Sequence, residues 1–283
     1  MKKLNGIFKF LFSLLIVATI FACEFPGGNP FDDEGWDDNI ENNDSIPGED
    51  DVWPNDSIPG GDNVWPNDTI PGEDNVLPND SIVSSGEFHN GHALVDLGLS
   101  VKWATCNVGA TKPEEYGGYY AWGETEEKNN YDWDTYKYSY IEQARLCVSK
   151  YCLNEEYGSV DNKTTLDASD DVASVKWGGS WRMPTSEEMQ ELREKCKWEG
   201  DVLNGVSGVR FTGPNGNSIF LPAAGYRGGN GHGDVGPNGF YWSASLGVYD
   251  CYDALFLYFH YDGSHFLYGY GRYGGLSVRP VCE

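Results

Sequence analysis

Phe240-Tyr-Trp-Ser-Ala-Ser245, Ala254-Leu-Phe-Leu-Tyr-Phe-His-Tyr261 and the run from Ser264 to Tyr270 follow one another near the end of the chain. Aromatic and apolar side chains dominate all three, and such short runs bounded by Gly, Asp and Ser predict strands. Asp262-Gly263 between the last two is a hairpin signal. It predicts a two-residue type I′ turn, which needs φ > 0 at both central residues.

The pattern extends outward from this hairpin. Ser218-Ile-Phe-Leu221 predicts a further strand, and Leu276-Ser-Val-Arg-Pro-Val281 a closing one. Toward the amino terminus, Val95 to Val108 predicts one or two strands, and Tyr116 to Glu124 a strand punctuated by glycine. The polar middle, Thr125 to Ser174, predicts loop with short helices. One helix has a clear start at Thr185, where Thr185 and Glu188 have the spacing of a capping box and Pro184 stands just before it. Met189, Leu192 and Cys196 then recur on one face. Few helices and many short antiparallel strands give an α+β fold class.

The chain divides into three parts. Residues 1–22 begin with Met1-Lys2-Lys3 and continue into an apolar run from Phe10 to Ala22. That run is shorter than the roughly 20 residues a membrane helix needs, so it predicts a secretory signal peptide. Ile20-Phe21-Ala22-Cys23 resembles the bacterial lipobox, which implies lipidation of Cys23 and a membrane partnership through acyl chains. Residues 23–87 form an acidic linker with repeats: Asn43 to Pro54 recurs at Asn55 to Pro66 and Asn67 to Pro78. Each repeat has few apolar residues and several carboxylates, so the linker is expected to be a disordered stalk. Residues 88–283 are the folded domain.

The net charge is −25. Residues 24–87 contain no Lys or Arg, and the folded domain is acidic as well. This argues against nucleic acid as a partner and leaves neutral glycans, proteins and cations open. Apart from Cys23, six cysteines remain, Cys106, Cys147, Cys152, Cys196, Cys251 and Cys282. An even number in an exported chain permits disulfides without fixing their connectivity, and Cys147 with Cys152 is the only close pair in sequence.

Several blocks resemble the Fibrobacter succinogenes major paralogous domain family (FISUMP). They are Val95-Asp-Leu-Gly-Leu99, Trp103-Ala-Thr-Cys-Asn-Val-Gly109, Tyr120-Ala-Trp-Gly-Glu124, Trp177 to Met189, Phe220 to Arg227, Tyr241-Trp-Ser-Ala-Ser245 and Gly275 to Val281. That family is similar in turn to the C-type-lectin-like fold of formylglycine-generating enzymes, in which Arg-x-Pro-Thr-x-x-Glu opens a helix as Arg182 to Glu188 does here. The resemblance implies that the first and last strands pair. It does not fix an activity.

No enzyme signature accompanies it. The two late cysteines of formylglycine-generating enzymes are not matched by Cys251 and Cys282, and no Gly-x-Ser-x-Gly elbow or phosphate loop is present. The Glu-Pro-Asn type of calcium site found in lectins is absent, so no cofactor is expected, with a structural calcium left open. His260 and His265 flank the hairpin near Asp262, but no third metal ligand is evident.

The stretch from Tyr249 to Tyr273 has the composition of a contact surface. Tyr249, Tyr252, Asp253, Tyr258, His260, Asp262, His265, Tyr268, Tyr270, Arg272 and Tyr273 are the candidate ligand-binding residues. The same mixture of Tyr, Asp, His, Gly and Phe is what retroelement diversification of Asn codons produces in some lectin-like surface lipoproteins. The sequence thus points to a non-enzymatic ligand-binding or adhesion module at the outer membrane, for a protein or glycan ligand. The alternatives are a glycan-active envelope enzyme and a structural envelope protein.

Overall fold

The computed structural model describes residues 87–247 and 249–283. The signal peptide, Cys23 and the repeats of residues 1–86 lie outside the described residues. Among the described residues no helix is long and apolar enough to cross a membrane.

Small antiparallel sheets with few helices make up the architecture. The first sheet contains β1 (Glu87–His89), β2 (His92–Val95), β3 (Lys102–Ala104) and, beside β3, the last strand β14 (Val281–Cys282). The last strand therefore enters the sheet of the first strands, although its neighbour is β3 and not β1. A hairpin of β4 (Ser139–Glu142) and β5 (Arg145–Val148) and the short helix α1 (Val172–Trp177) lie in the polar middle of the chain. Helix α2 (Ser186–Lys195) precedes a three-stranded sheet of β6 (Lys197–Leu203), β7 (Val206–Thr212) and β8 (Ser218–Pro222). A two-stranded ribbon, β9 (Tyr226–Gly228) and β10 (Gly231–Gly233), comes next. The central sheet is β11 (Asn238–Leu246), β12 (Asp253–His260) and β13 (His265–Gly271).

Local chemistry accounts for these elements. Asn90-Gly91 turns β1 into β2, and Asn204-Gly205 turns β6 into β7; all four residues have φ between 44° and 84°, the geometry of a type I′ turn. The capping box at α2 forms: the Thr185 hydroxyl accepts from the Glu188 amide, and Glu188 Oε2 accepts from the Thr185 amide at 2.8 Å. Glu188 also takes a bidentate pair from Arg182, at 2.7 and 2.6 Å. Met189, Leu192 and Cys196 are all buried.

Four sequence expectations change. The polar middle, expected as loop with short helices, also holds the β4–β5 hairpin, whose short strands carry too little apolar alternation to be read as strands. Tyr116 to Glu124 is not a strand, apart from one bridge between Tyr120 and Leu276. The glycines within it break the ladder, and its amides bond elsewhere, Tyr120 to Leu276 O and Trp122 to Arg272 O. The closing strand is only Val281–Cys282. Leu276 to Pro280 instead threads between other segments and bonds to Tyr120, Phe240, Trp242, Val108 and Ala104. Finally, the hairpin at Asp262-Gly263 closes with three loop residues. The His260 amide donates to Ser264 O, the Gly263 amide to His260 O, and only Gly263 takes positive φ, at 106°. This is a turn followed by a glycine bulge.

That extra residue resets the faces. Phe259 pairs with His265, Leu257 with Leu267, Phe256 with Tyr268, Tyr258 with Phe266 and Ala254 with Tyr270. One face of the central sheet carries Phe240, Trp242, Ala254, Phe256, Tyr258, Phe266, Tyr268 and Tyr270, and its inner members join the larger core. The other carries Tyr241, Leu257, Phe259 and Leu267, packed with Met189 and Leu192 of α2. Alternation along each strand produces this division.

Candidate functional site

The candidate residues do not form one patch. Tyr249 and Tyr268 are open to solvent, 86% and 60% exposed. Tyr258 is half-buried, and its hydroxyl donates to Asn238 Oδ1 at 3.0 Å. His260 shares the face of Tyr258, and its Nδ1 lies 2.8 Å from Asp262 Oδ1. The His260 contact, then the Ser264 amide, hold the Asp262 carboxyl below the usual range. His265 is on the opposite face, its ring tilted by 54° against that of Trp198 with the centroids 4.1 Å apart. Burial lowers its pKa. A two-residue turn would have paired His260 with His265; the bulge separates them. Among the described residues no group of three or more His, Cys, Asp or Glu is placed to hold a metal ion.

Three candidates belong to the framework. Arg272 is fully buried. It donates to Tyr136 Oη at 2.9 Å and to the carbonyls of Cys251, Lys150 and Tyr151 at 2.7, 3.0 and 3.3 Å. The rings of Trp122, Tyr136, Tyr138 and Tyr151 surround the guanidinium, replacing its hydration with carbonyl dipoles and π faces. It is not available to a ligand. Tyr252 donates to Leu146 O at 2.6 Å and packs on Trp133 and Tyr157. Asp253 lies against Gly247 and Gly269, away from the aromatic face. Burial first, then Asp250, raises its pKa to about 6.

The remaining aromatic residues converge on a cleft of about 380 Å³. Its walls are Tyr131, Tyr226, Tyr270 and Tyr273, the glycines of the β9–β10 ribbon, His232 and Asp132. Each tyrosine lies on a glycine. A Cβ on Gly233 would stand 2.6 Å from the Tyr226 ring, on Gly274 2.3 Å from Tyr270, on Gly271 2.6 Å from Tyr273, and on Gly275 2.6 Å from Tyr131. A side chain at any of these positions would have to displace the ring, so the glycines seat the rings. Further contacts fix them: Tyr131 donates to Tyr119 O at 2.5 Å, Tyr226 packs on Phe240, and Tyr273 packs on Trp133. Beyond the cleft the same sheet face continues outward to Phe266 and Tyr268, which are exposed.

Burial raises the pKa of Tyr131, Tyr226 and Tyr270, and Asp234 adds to the shift for the last two. All three stay neutral near pH 7; Tyr131 is fully buried with its hydroxyl donating to Tyr119 O, whereas the half-buried Tyr226 and Tyr270 carry phenols able to donate and accept. The lining contains no Lys or Arg, and Asp132 is its one carboxylate. Such a surface suits a neutral ligand with apolar faces and hydroxyl edges, and it disfavours anions.

Sequence reading reached Tyr270 and Tyr273 but missed Tyr131, Asp132, Tyr226 and His232. The available signal was the glycine run Gly228-Gly229-Asn230-Gly231-His232-Gly233 directly after Tyr226-Arg227. Tyr131 lies about a hundred residues upstream of its neighbours, and no local pattern marks it. No family model, curated protein or solved structure matches this chain.

Proposed function

We propose that this protein is a surface-displayed lipoprotein whose folded domain is a non-enzymatic recognition module for neutral saccharide chains. The observation that carries the reading is the glycine-seated tyrosine cleft, continued by exposed Phe266 and Tyr268. Sugar rings present C–H faces to aromatic planes and hydroxyls to phenols, and a fixed aromatic platform binds with little loss of side-chain freedom. Glycoside hydrolysis ordinarily uses two facing carboxyl groups, whereas the lining supplies one, Asp132. That favours binding over turnover.

The lipobox-like sequence ending in Cys23 and the acidic repeats supply an anchor and a spacer in this reading. Palmitate labelling of the wild-type chain and its loss in Cys23→Ser would test the anchor. Protease shaving of intact cells would test outer-membrane display. FISUMP membership and a C-type-lectin-like fold are part of the proposal. They are supported by the Arg182–Glu188 cap at the start of α2 and by β14 lying in the sheet of the first strands. Retroelement diversification would act on exposed positions such as Tyr249 and Tyr268, because Cys251 and Arg272 are core. A nearby template copy carrying adenines at the differing positions would support it.

The deciding experiment is a glycan array with the purified full chain, followed by titration of the best ligand. His232→Ala with Tyr273→Phe, which keeps the packed ring, should weaken binding about tenfold or more, with melting little changed. Unchanged affinity would sink the site. Released sugar products would favour a glycan-active enzyme, and an array without hits would favour a structural envelope protein.

A further inference from the structure

Cys152 and Cys251 are fully buried and form a small cluster of their own with Val148, flanked by Trp133, Tyr157 and Tyr252. The Leu153 amide, 98 positions from Cys251, donates to its sulfur at 3.1 Å. Cys152 donates to Asn154 O at 3.1 Å, and its side chain packs with that of Cys251 in this cluster. The backbones on both sides are held independently. Asp161 accepts from the amides of Tyr151 and Cys152 at 2.9 and 3.0 Å. Nη1 of Arg272 bridges the carbonyls of Cys251 and Tyr151. Tyr151 is kept at φ 58°, a left-handed conformation rare for a bulky residue.

The other cysteines lie apart. Cys106 and Cys282 line the larger core and Cys196 the second core. Cys147 is buried outside the Cys152–Cys251 cluster, so the pair closest in sequence is not the pair in contact.

We infer that Cys152 and Cys251 form a disulfide in the exported protein, tying the Tyr249–Asp253 segment to the turn after β5. In this reaction one thiolate attacks the sulfur of an oxidised dithiol donor, a protein disulfide of the export compartment or glutathione disulfide in vitro. The second thiolate then displaces the donor from the mixed disulfide. One S–S bond forms and the donor's S–S bond breaks. Two electrons pass to the donor, and the two thiol protons end on its released thiols. Burial, and then the neighbouring Cys251 thiol, push the Cys152 pKa up to about 11. The thiolate is scarce in the folded state, so the bond forms during folding.

Natural occurrence of the bond rests on the proposal that the chain is exported, whereas its geometry does not. The test therefore has two arms. The full chain, unfolded under reductant, is refolded in a glutathione redox buffer, digested without reduction and mapped by mass spectrometry. The expected result is a linked pair of peptides containing Cys152 and Cys251, and reduction should lower the melting temperature by on the order of 10 °C. Cys251→Ser should abolish both effects, whereas Cys196→Ser should keep the link. A Cys147–Cys152 link, scrambled products or two free thiols in the refolded chain would overturn the inference. In the second arm the chain is isolated from cells with thiols blocked at lysis. A linked pair supports both readings. A reduced pair in cells with a linked pair after refolding supports the geometry and counts against export.

Discussion

Arg272 shows how much one residue organises. Its guanidinium joins the 150–151 turn, the Cys251 loop and Tyr136. Arg272→Met would leave three buried carbonyls and a phenol without a donor, and should destabilise the domain by about 3 kcal/mol or more in urea unfolding. Asp253 gives a pH signature of opposite sense to most carboxylates. Its folded pKa, about 6, lies above the ordinary 3.8. Its protonated form is thus favoured by folding, and the associated stability is full below about pH 4 and fades as pH rises through 6. Asp253→Asn should raise stability at pH 7.5 by up to about 2 kcal/mol. Near pH 4 it should change little. A constant difference across that range would show that Asp253 is not the titrating group. Gly233→Ala would drive a methyl into the Tyr226 ring. Ligand affinity should fall more than stability, which paired titration and melting would reveal.

Among the elements, α2 was the most legible. Thr185, Glu188 and the Met189–Leu192–Cys196 spacing gave its start and its buried face, because helix caps and helical periodicity are written in neighbouring residues. Thr185→Ala should cost about 1 kcal/mol, measured by thermal melting. Strands β8, β11, β12 and β13 were also readable, from dense aromatic runs. The β6–β7 hairpin was not, despite Asn204-Gly205, because Lys197 to Leu203 mixes charge with apolar residues along an exposed edge. The turn at Asp262-Gly263 was read in kind but one residue short, and that residue decided which side of the sheet His265 occupies. The cleft was half visible. Composition marks tyrosines and glycines, but which tyrosine rests on which glycine depends on contacts between distant segments.

At the scale of the whole described domain, the decisive segment is Leu276 to Cys282. It bonds to Tyr120, Phe240, Trp242, Val108, Ala104, Trp103 and Arg182. Within it Arg279 is buried and donates to Asn107 and to the carbonyls of Ala104, Thr105 and Phe220. A chain cut after Gly275 should therefore show no cooperative unfolding transition, whereas loss of Glu283 alone should be tolerated. Contacts between residues so far apart also bring slow folding. This seam has a temporal meaning. A polypeptide emerging from a ribosome lacks its keystone until residues 276–282 appear, so the earlier portion stays pliable and cannot lock into the finished body before then.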